Sequence, residues 1–370
     1  MGLLPPLDAL RVLDFSTLLP GPCASLLLAE AGAKVLKIER PDGEEMRHYE
    51  PKVGADSINF ALLNRGKHAL AIDLKADDAL ARLTPLIEQA DVLIEQFRPG
   101  VMQRLGLGYT TLRELNPRLI YCSISGWGQN GPKAQRAGHD LNYMAESGVL
   151  GLTGSAAGEP ILPPLLAADI AGGAYPAVIN ILLALLRRQS SGQGCHLDIA
   201  MAENLLPFLY WGLGNGFACG QWPGMSDATV TGGSPRYHLY RTRDGRFLAA
   251  APLEERFWSR FCDLIELPTD LRAPGVHAAR VTQAVAERIA GHDAAHWQQC
   301  FANEDVCCSI VATLHEAVND AQLHARGVFD RQLAVADRQM PALPTPILAA
   351  FRSAPAVAGA PGLRPPERTP

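Results

Sequence analysis

The sequence predicts an α/β protein, with a Rossmann-like parallel-sheet large domain and a second, smaller α+β domain. Three observations carry this. Short apolar runs alternate with helical stretches over the first 200 residues, a Gly-, Ser- and Thr-rich connector changes the composition at 220–235, and an Asp-Gly hairpin signal follows it.

In chain order, Leu10–Phe15 reads as a buried strand, and Gly21-Pro22 opens an Ala- and Leu-rich helix ending near Glu30. Gly32 caps that helix, and Lys34–Glu39 is the next strand. Ala69–Leu74, Asp91–Glu95 and Leu119–Ser123 are further strands, and Ala79–Gln89 is a helix whose continuity Pro85 counts against. A long helix is expected from Asp169 to about Gln189, broken by the Ser190–Gly194 run, with a strand at His196–Ala200 and an apolar helix from Met201. Tyr237–Tyr240 and Phe247–Ala251 flank Asp244-Gly245 as a hairpin, and helical segments run on to about Ala325. The Pro-, Ala- and Gly-rich tail from Ala354 is expected to be loose. The expected domains are 1–200 for the large domain, 201–236 for linker helices, 237–325 for the small domain, and 326–370 for a return to the first.

Composition narrows the function. The net charge of -5 offers nothing global to nucleic acid or an anionic membrane, so any polyanionic ligand must be met by local Lys and Arg clusters. The 8 cysteines are scattered without a CxxC pair, which argues against a metal site and for reduced thiols in a cytoplasmic protein. No secretory signal is apparent. The apolar run Ile170–Leu186 holds Pro176, Asn180 and Gly172-Gly173, and reads as a buried helix rather than a membrane span. No GxGxxG, P-loop, HExxH or GxSxG pattern occurs.

Three features remain. Arg40 after one strand, Asn64-Arg65-Gly66-Lys67 before another and Arg98 after a third put cations at edges of the sheet, where they can converge on one anion or merely be solvated. His139, in Gly138-His139-Asp140, is a candidate titrating group, although a lone histidine is more often structural. Asp169 heads the long helix, where it can be a plain N-cap, a catalytic acid or both, and the N–H groups of such a helix start can hold a developing oxyanion.

Leu10–Phe15 with Pro20-Gly21-Pro22, Gly32–Pro41, Ala90–Glu95 with Phe97–Gly100, and Leu115–Ile120 together resemble the family III CoA-transferases. The likeness continues through Ser125–Gly128 to the segment Ala321–Phe329 and covers nearly the whole chain. It implies an acyl-CoA substrate, no cofactor beyond CoA itself, and an interlocked homodimer. It implies that Arg40, Asn64, Lys67 and Arg98 contact CoA, and that Asp169 is the family's reactive aspartate. The segment Ala137–Tyr143 looks like the α-methylacyl-CoA racemase version of the site, which would make His139 and Asp169 the two acid/bases. Glu254, in Ala251–Glu254, would then support the histidine, and Asp140 would support Asp169. The expected activity is inversion of the α-methyl centre of a 2-methylacyl-CoA. The alternative is a transferase that passes CoA to a carboxylic acid through an acyl-Asp169 intermediate.

Overall fold

The computed structural model describes residues 5–155, 158–273, 275–353 and 357–365. The chain divides into two compact units, one made of Met1–Ser147, Leu165–Phe208 and His324–Pro370, the other of Gly148–Pro164 and Leu209–Leu323. Segment 148–164, placed with the large domain by the sequence reading, thus belongs to the second unit, and 201–236 is shared between both.

The first unit is built on a seven-stranded sheet. Its strands are β1 (Arg11–Asp14), β2 (Lys34–Glu39), β3 (His68–Ala71), β4 (Val92–Glu95), β5 (Ile120–Ser125), β6 (Cys195–Ala200) and β7 (Leu363–Arg364). The order is β7-β3-β2-β1-β4-β5-β6, and every pairing is parallel. All residues of β4 and β5 are buried, their polar members Glu95, Ser123 and Ser125 included, which is why apolar residues dominate both strands without a regular alternation. Each such Val, Leu or Ile contributes about 1.5–3 kcal/mol through burial.

Helix α1 (Pro20–Glu30) starts on its prolines and is buried on nearly every side, as its small apolar sequence requires. Helix α2 (Ala79–Glu88) runs through Pro85. Its buried face is Ala79, Leu83 and Ile87, whereas Pro85 is exposed, so the freed carbonyl one turn earlier is solvated. Helix α3 (Asp140–Glu146) leads, after the excursion into the second unit, to a π-helical turn Ala168–Ala174 and then α4 (Tyr175–Ser191). A Cβ on Gly172 would lie 2.4 Å from the Met201 carbonyl oxygen, so only glycine lets this turn approach the end of β6.

The stretch 168–191 is long and apolar enough to cross a membrane by length and composition. The expectation of a buried helix holds for one face. Ala177, Ile181 and Ala184 are covered, whereas Ile179, Leu183 and Leu186 are 56%, 57% and 62% exposed.

The tail departs from the loose segment expected of it. Residues 354–356 and 366–370 lie outside the described residues, but Val357–Gly359 pairs with Gln332–Val335 and β7 closes the large sheet against β3. Its Pro and Gly content fits an edge position, where a short strand suffices.

In the second unit, His238–Arg241 and Phe247–Ala250 form the expected antiparallel hairpin, with Gly245 at φ +83°. Cys308–Ile310 joins as the third strand. Helices Glu255–Leu264, Ala278–Ala290 and Ala294–Phe301 pack around a core that includes Trp258, Phe261, Val285, Ile289 and Trp297.

Candidate active site

In the first unit's sheet, connectivity reverses direction at β1 and β4, which are neighbours. In open α/β sheets the crevice beyond the carboxyl ends of two such strands binds ligands, because the loops there diverge. Two cavities lie among these loops. One, of about 400 Å³, takes Leu18 and Pro20 after β1, Gln96–Pro99 after β4, Gly126 and Trp127 after β5, and His139 and Asp169. The other, of about 370 Å³, is lined by Phe15, Thr17, Arg40, Ile72 and Lys75. Phe97 lines both.

His139 and Asp169, 30 residues apart in sequence, thus share one cavity. His139 precedes α3 with extended backbone, and its N–H donates to Asn142 Oδ1 at 3.0 Å. Asp140, the first residue of α3, is buried, and its Oδ1 accepts the Asp169 N–H at 2.9 Å. Capping of the second helix therefore falls to Asp140 and not to Asp169. Among the described residues, no hydrogen bond holds the Asp169 carboxylate itself. Burial first, and then the negative charge of Asp140, push Asp169 up to about 7. Burial also raises Asp140, against the pull of the Asp169 and Ala168 N–H groups. The Asp169 N–H is thus engaged by Asp140, while Asp140 Oδ2 is buried without a hydrogen-bond partner among the described residues.

Arg98 is exposed and lines the His139–Asp169 cavity, and Arg40 is exposed and lines the other. Asn64 and Lys67 are placed differently. Both are buried, and Lys67 Nζ donates to Asn64 Oδ1 at 2.8 Å and to the Pro22 carbonyl at 2.9 Å, with Asp14 Oδ2 at 3.4 Å. They answer the buried carboxylate of Asp14 instead of presenting themselves to a ligand. Burial alone would raise Asp14, but Lys37 and Lys67 hold it well below the usual range. Lys37 Nζ also binds the Ser16 carbonyl at 2.6 Å, tying this network to the loop that walls the cavities. Glu254 belongs to the second unit, exposed just before helix Glu255–Leu264, and its role towards His139 stays an expectation of the resemblance.

The sequence matches the description CoA-transferase family III over residues 7–363. The chain belongs to that family. It is 34% identical over 357 residues to the α-methylacyl-CoA racemase of Homo sapiens, covering 94% of this chain and 90% of that protein. It is 33% identical over 337 residues to the acetyl-CoA:oxalate CoA-transferase of Acetobacter aceti, covering 88% and 85%. Among solved structures, a CAIB/BAIF family protein from Brucella suis superposes with a TM-score of 0.82 at 29% identity, over 97% of this chain and 96% of that one. Racemases and CoA-transferases therefore both stand among the family relatives.

Sequence reasoning assigned no role to Gln96, Tyr143 or Lys75. Gln96 lines the first cavity, and its Oε1 accepts the Gly21 N–H at the start of α1 at 3.0 Å. Gln96 and Lys75 sit beside strand ends, which was the available signal. Tyr143 could have been suspected from the two glycines, Gly126 and Gly138, that make room for it.

Proposed function

We propose that the chain is an acyl-CoA racemase or epimerase that inverts the α-methyl centre of a 2-methylacyl-CoA by 1,1-proton transfer. The observation that carries this reading is the shared cavity of His139 and Asp169, where Asp169 is pushed to about 7. An acid/base works best when its pKa lies near the operating pH, because both protonation states are then populated. One group takes the α-proton from one face while the other delivers a proton to the opposite face. The thioester oxygen gains charge as the proton leaves, and Arg98 supplies positive charge on the same cavity wall. The nucleotide end of CoA is assigned to the neighbouring cavity with Arg40 and Lys75, which Phe97 joins to the first. The protein is proposed to act as a homodimer, interlocked as the resemblance implies, and the exposed Ile179, Leu183 and Leu186 support a partner for α4.

The transferase reading is favoured by the relative that carries out CoA transfer to oxalate. It asks Asp169 to be a carboxylate nucleophile, a duty for which a group half-protonated near pH 7 is less suited. The test is to incubate each enantiomer of a 2-methylacyl-CoA with the protein in deuterated water, with hydroxylamine trapping in parallel. Deuterium at the α-carbon, inversion and no trapped acyl group are expected. Absence of exchange across several 2-methylacyl-CoA substrates, with Asp169 acylated and CoA moving to a second acid, would replace the racemase reading by the transferase one.

A further inference from the structure

We propose that Tyr143 is a positioning residue for His139, holding the peptide that precedes it in the orientation its proton transfer needs. The proposal rests on the racemase reading for its catalytic consequence and on geometry for its structural one. The Tyr143 hydroxyl donates to the Gly138 carbonyl oxygen at 2.6 Å, and Gly138 immediately precedes His139. Tyr143 is buried, on the wall of the His139–Asp169 cavity, with its ring edge-on to Trp127 at 5.3 Å between centroids.

Two glycines admit the ring. A Cβ on Gly126, just after β5, would lie 2.2 Å from the Tyr143 ring, and a Cβ on Gly138 would lie 2.7 Å from it. The ring is thereby seated between the end of the sheet and the segment that carries the histidine. Glycine at 138 allows this approach but leaves the backbone before His139 with more conformations than any other residue would. Asn142 Oδ1 holds the N–H of that peptide at 3.0 Å and the hydroxyl holds its carbonyl, and the two contacts together fix the direction in which the His139 side chain leaves the chain. Asp169 is held by a different anchor, its own N–H on Asp140, so the two acid/bases are positioned by separate contacts. The Asp169 charge also reaches the Tyr143 hydroxyl, but no hydrogen bond joins them, so loss of the hydroxyl should disturb the His139 face more than the Asp169 face. Misplacement by about 1 Å costs up to about 100-fold in rate, so a partly loosened peptide should cost roughly tenfold.

Tyr143→Phe keeps the ring and removes only the hydroxyl. α-Deuterium exchange is measured for each enantiomer of a 2-methylacyl-CoA, and His139→Ala shows which enantiomer depends on the histidine. For that enantiomer, Tyr143→Phe should lower kcat for exchange by roughly tenfold with KM unchanged, while exchange of the other stays within about twofold. Gly138→Ala, which forces the ring away, should reproduce the same asymmetry. Equal loss for both enantiomers, or no loss for either, overturns the proposal. A readout that needs no substrate is the His139 imidazole carbon-bound proton resonance, assigned by its absence in His139→Ala. It should shift or broaden in Tyr143→Phe, and an unchanged resonance rejects the positioning role even if the wild type exchanges no proton. A wild type without exchange whose His139 resonance does respond rejects the racemase reading alone.

Discussion

Asp14 and Glu95 end the neighbouring strands β1 and β4, both buried, and their carboxyls move in opposite directions. Asp14 faces Lys37 and Lys67 and is held low. Among the described residues, no cation stands beside Glu95. Burial pushes it up to about 7, with Asp198 adding to the shift, against hydrogen bonds from Ser123 and from the Phe97 N–H at 2.8 Å. Folding therefore takes up a proton at Glu95 between its ordinary value and about 7. Stability linked to this group is fully present at low pH and is lost as pH rises through the folded value. Glu95→Gln keeps an acceptor for Phe97 and removes the ionisation. Its melting temperature should match the wild type near pH 4.5 and exceed it above pH 7, by up to roughly 3 kcal/mol of stability in denaturant titrations. A gap that does not grow with pH would contradict the shift. The position of Glu95 at a strand end was legible in the sequence, but its lack of a counter-ion was not, because the charges around it come from other strands.

At the scale of elements, the strands of the large sheet were readable because parallel strands buried on both faces are continuous apolar runs. Lys34–Glu39 agrees residue for residue, and β1, β4 and β5 lie within or beside the runs expected of them. The tail was misread because two-residue strands carry no pattern of their own. β7 pairs Leu363 with Ala69 and Arg364 with Leu70, and the neighbouring Pro361 carbonyl accepts from Arg47 at 3.1 Å. A chain ended at Ala360 should lose these contacts, about 1 kcal/mol for each hydrogen bond, and bare the edge of β3. Thermal melting a few degrees lower and concentration-dependent aggregation in light scattering are expected. A truncated chain as stable and as soluble as the whole would show that the strand adds nothing.

For the molecule as a whole, the exposed side of α4 is one apolar face, among the described residues, that a single chain leaves uncovered. Three aliphatic side chains at one helical spacing, Ile179, Leu183 and Leu186, lie in water on a helix whose other side is packed. If a second copy covers them, light scattering should give about twice the chain mass of 39.8 kDa. Leu183→Glu with Leu186→Glu should then shift the protein to monomer or prevent folding, since an interlocked dimer has no separate folded monomer. A wild type that is monomeric and fully active would remove both the dimer and the role given to this face.

The sequence by itself determined the α/β class, the order of most strands of the large sheet, the hairpin at Asp244-Gly245 and the residue types of His139 and Asp169. Each of these follows from local pattern, turn chemistry or motif. What only the tertiary structure decided is which polar groups face a cavity and which face each other. Lys67 and Arg40 look alike as cations near strands, yet one neutralises a buried aspartate and the other lines a pocket. Asp140 and Asp169 look alike as acids at helix starts, yet one accepts the backbone N–H of the other, which is left with a carboxyl raised to about 7. Charge pairing and desolvation depend on neighbours brought together from distant parts of the chain, and no local pattern records them.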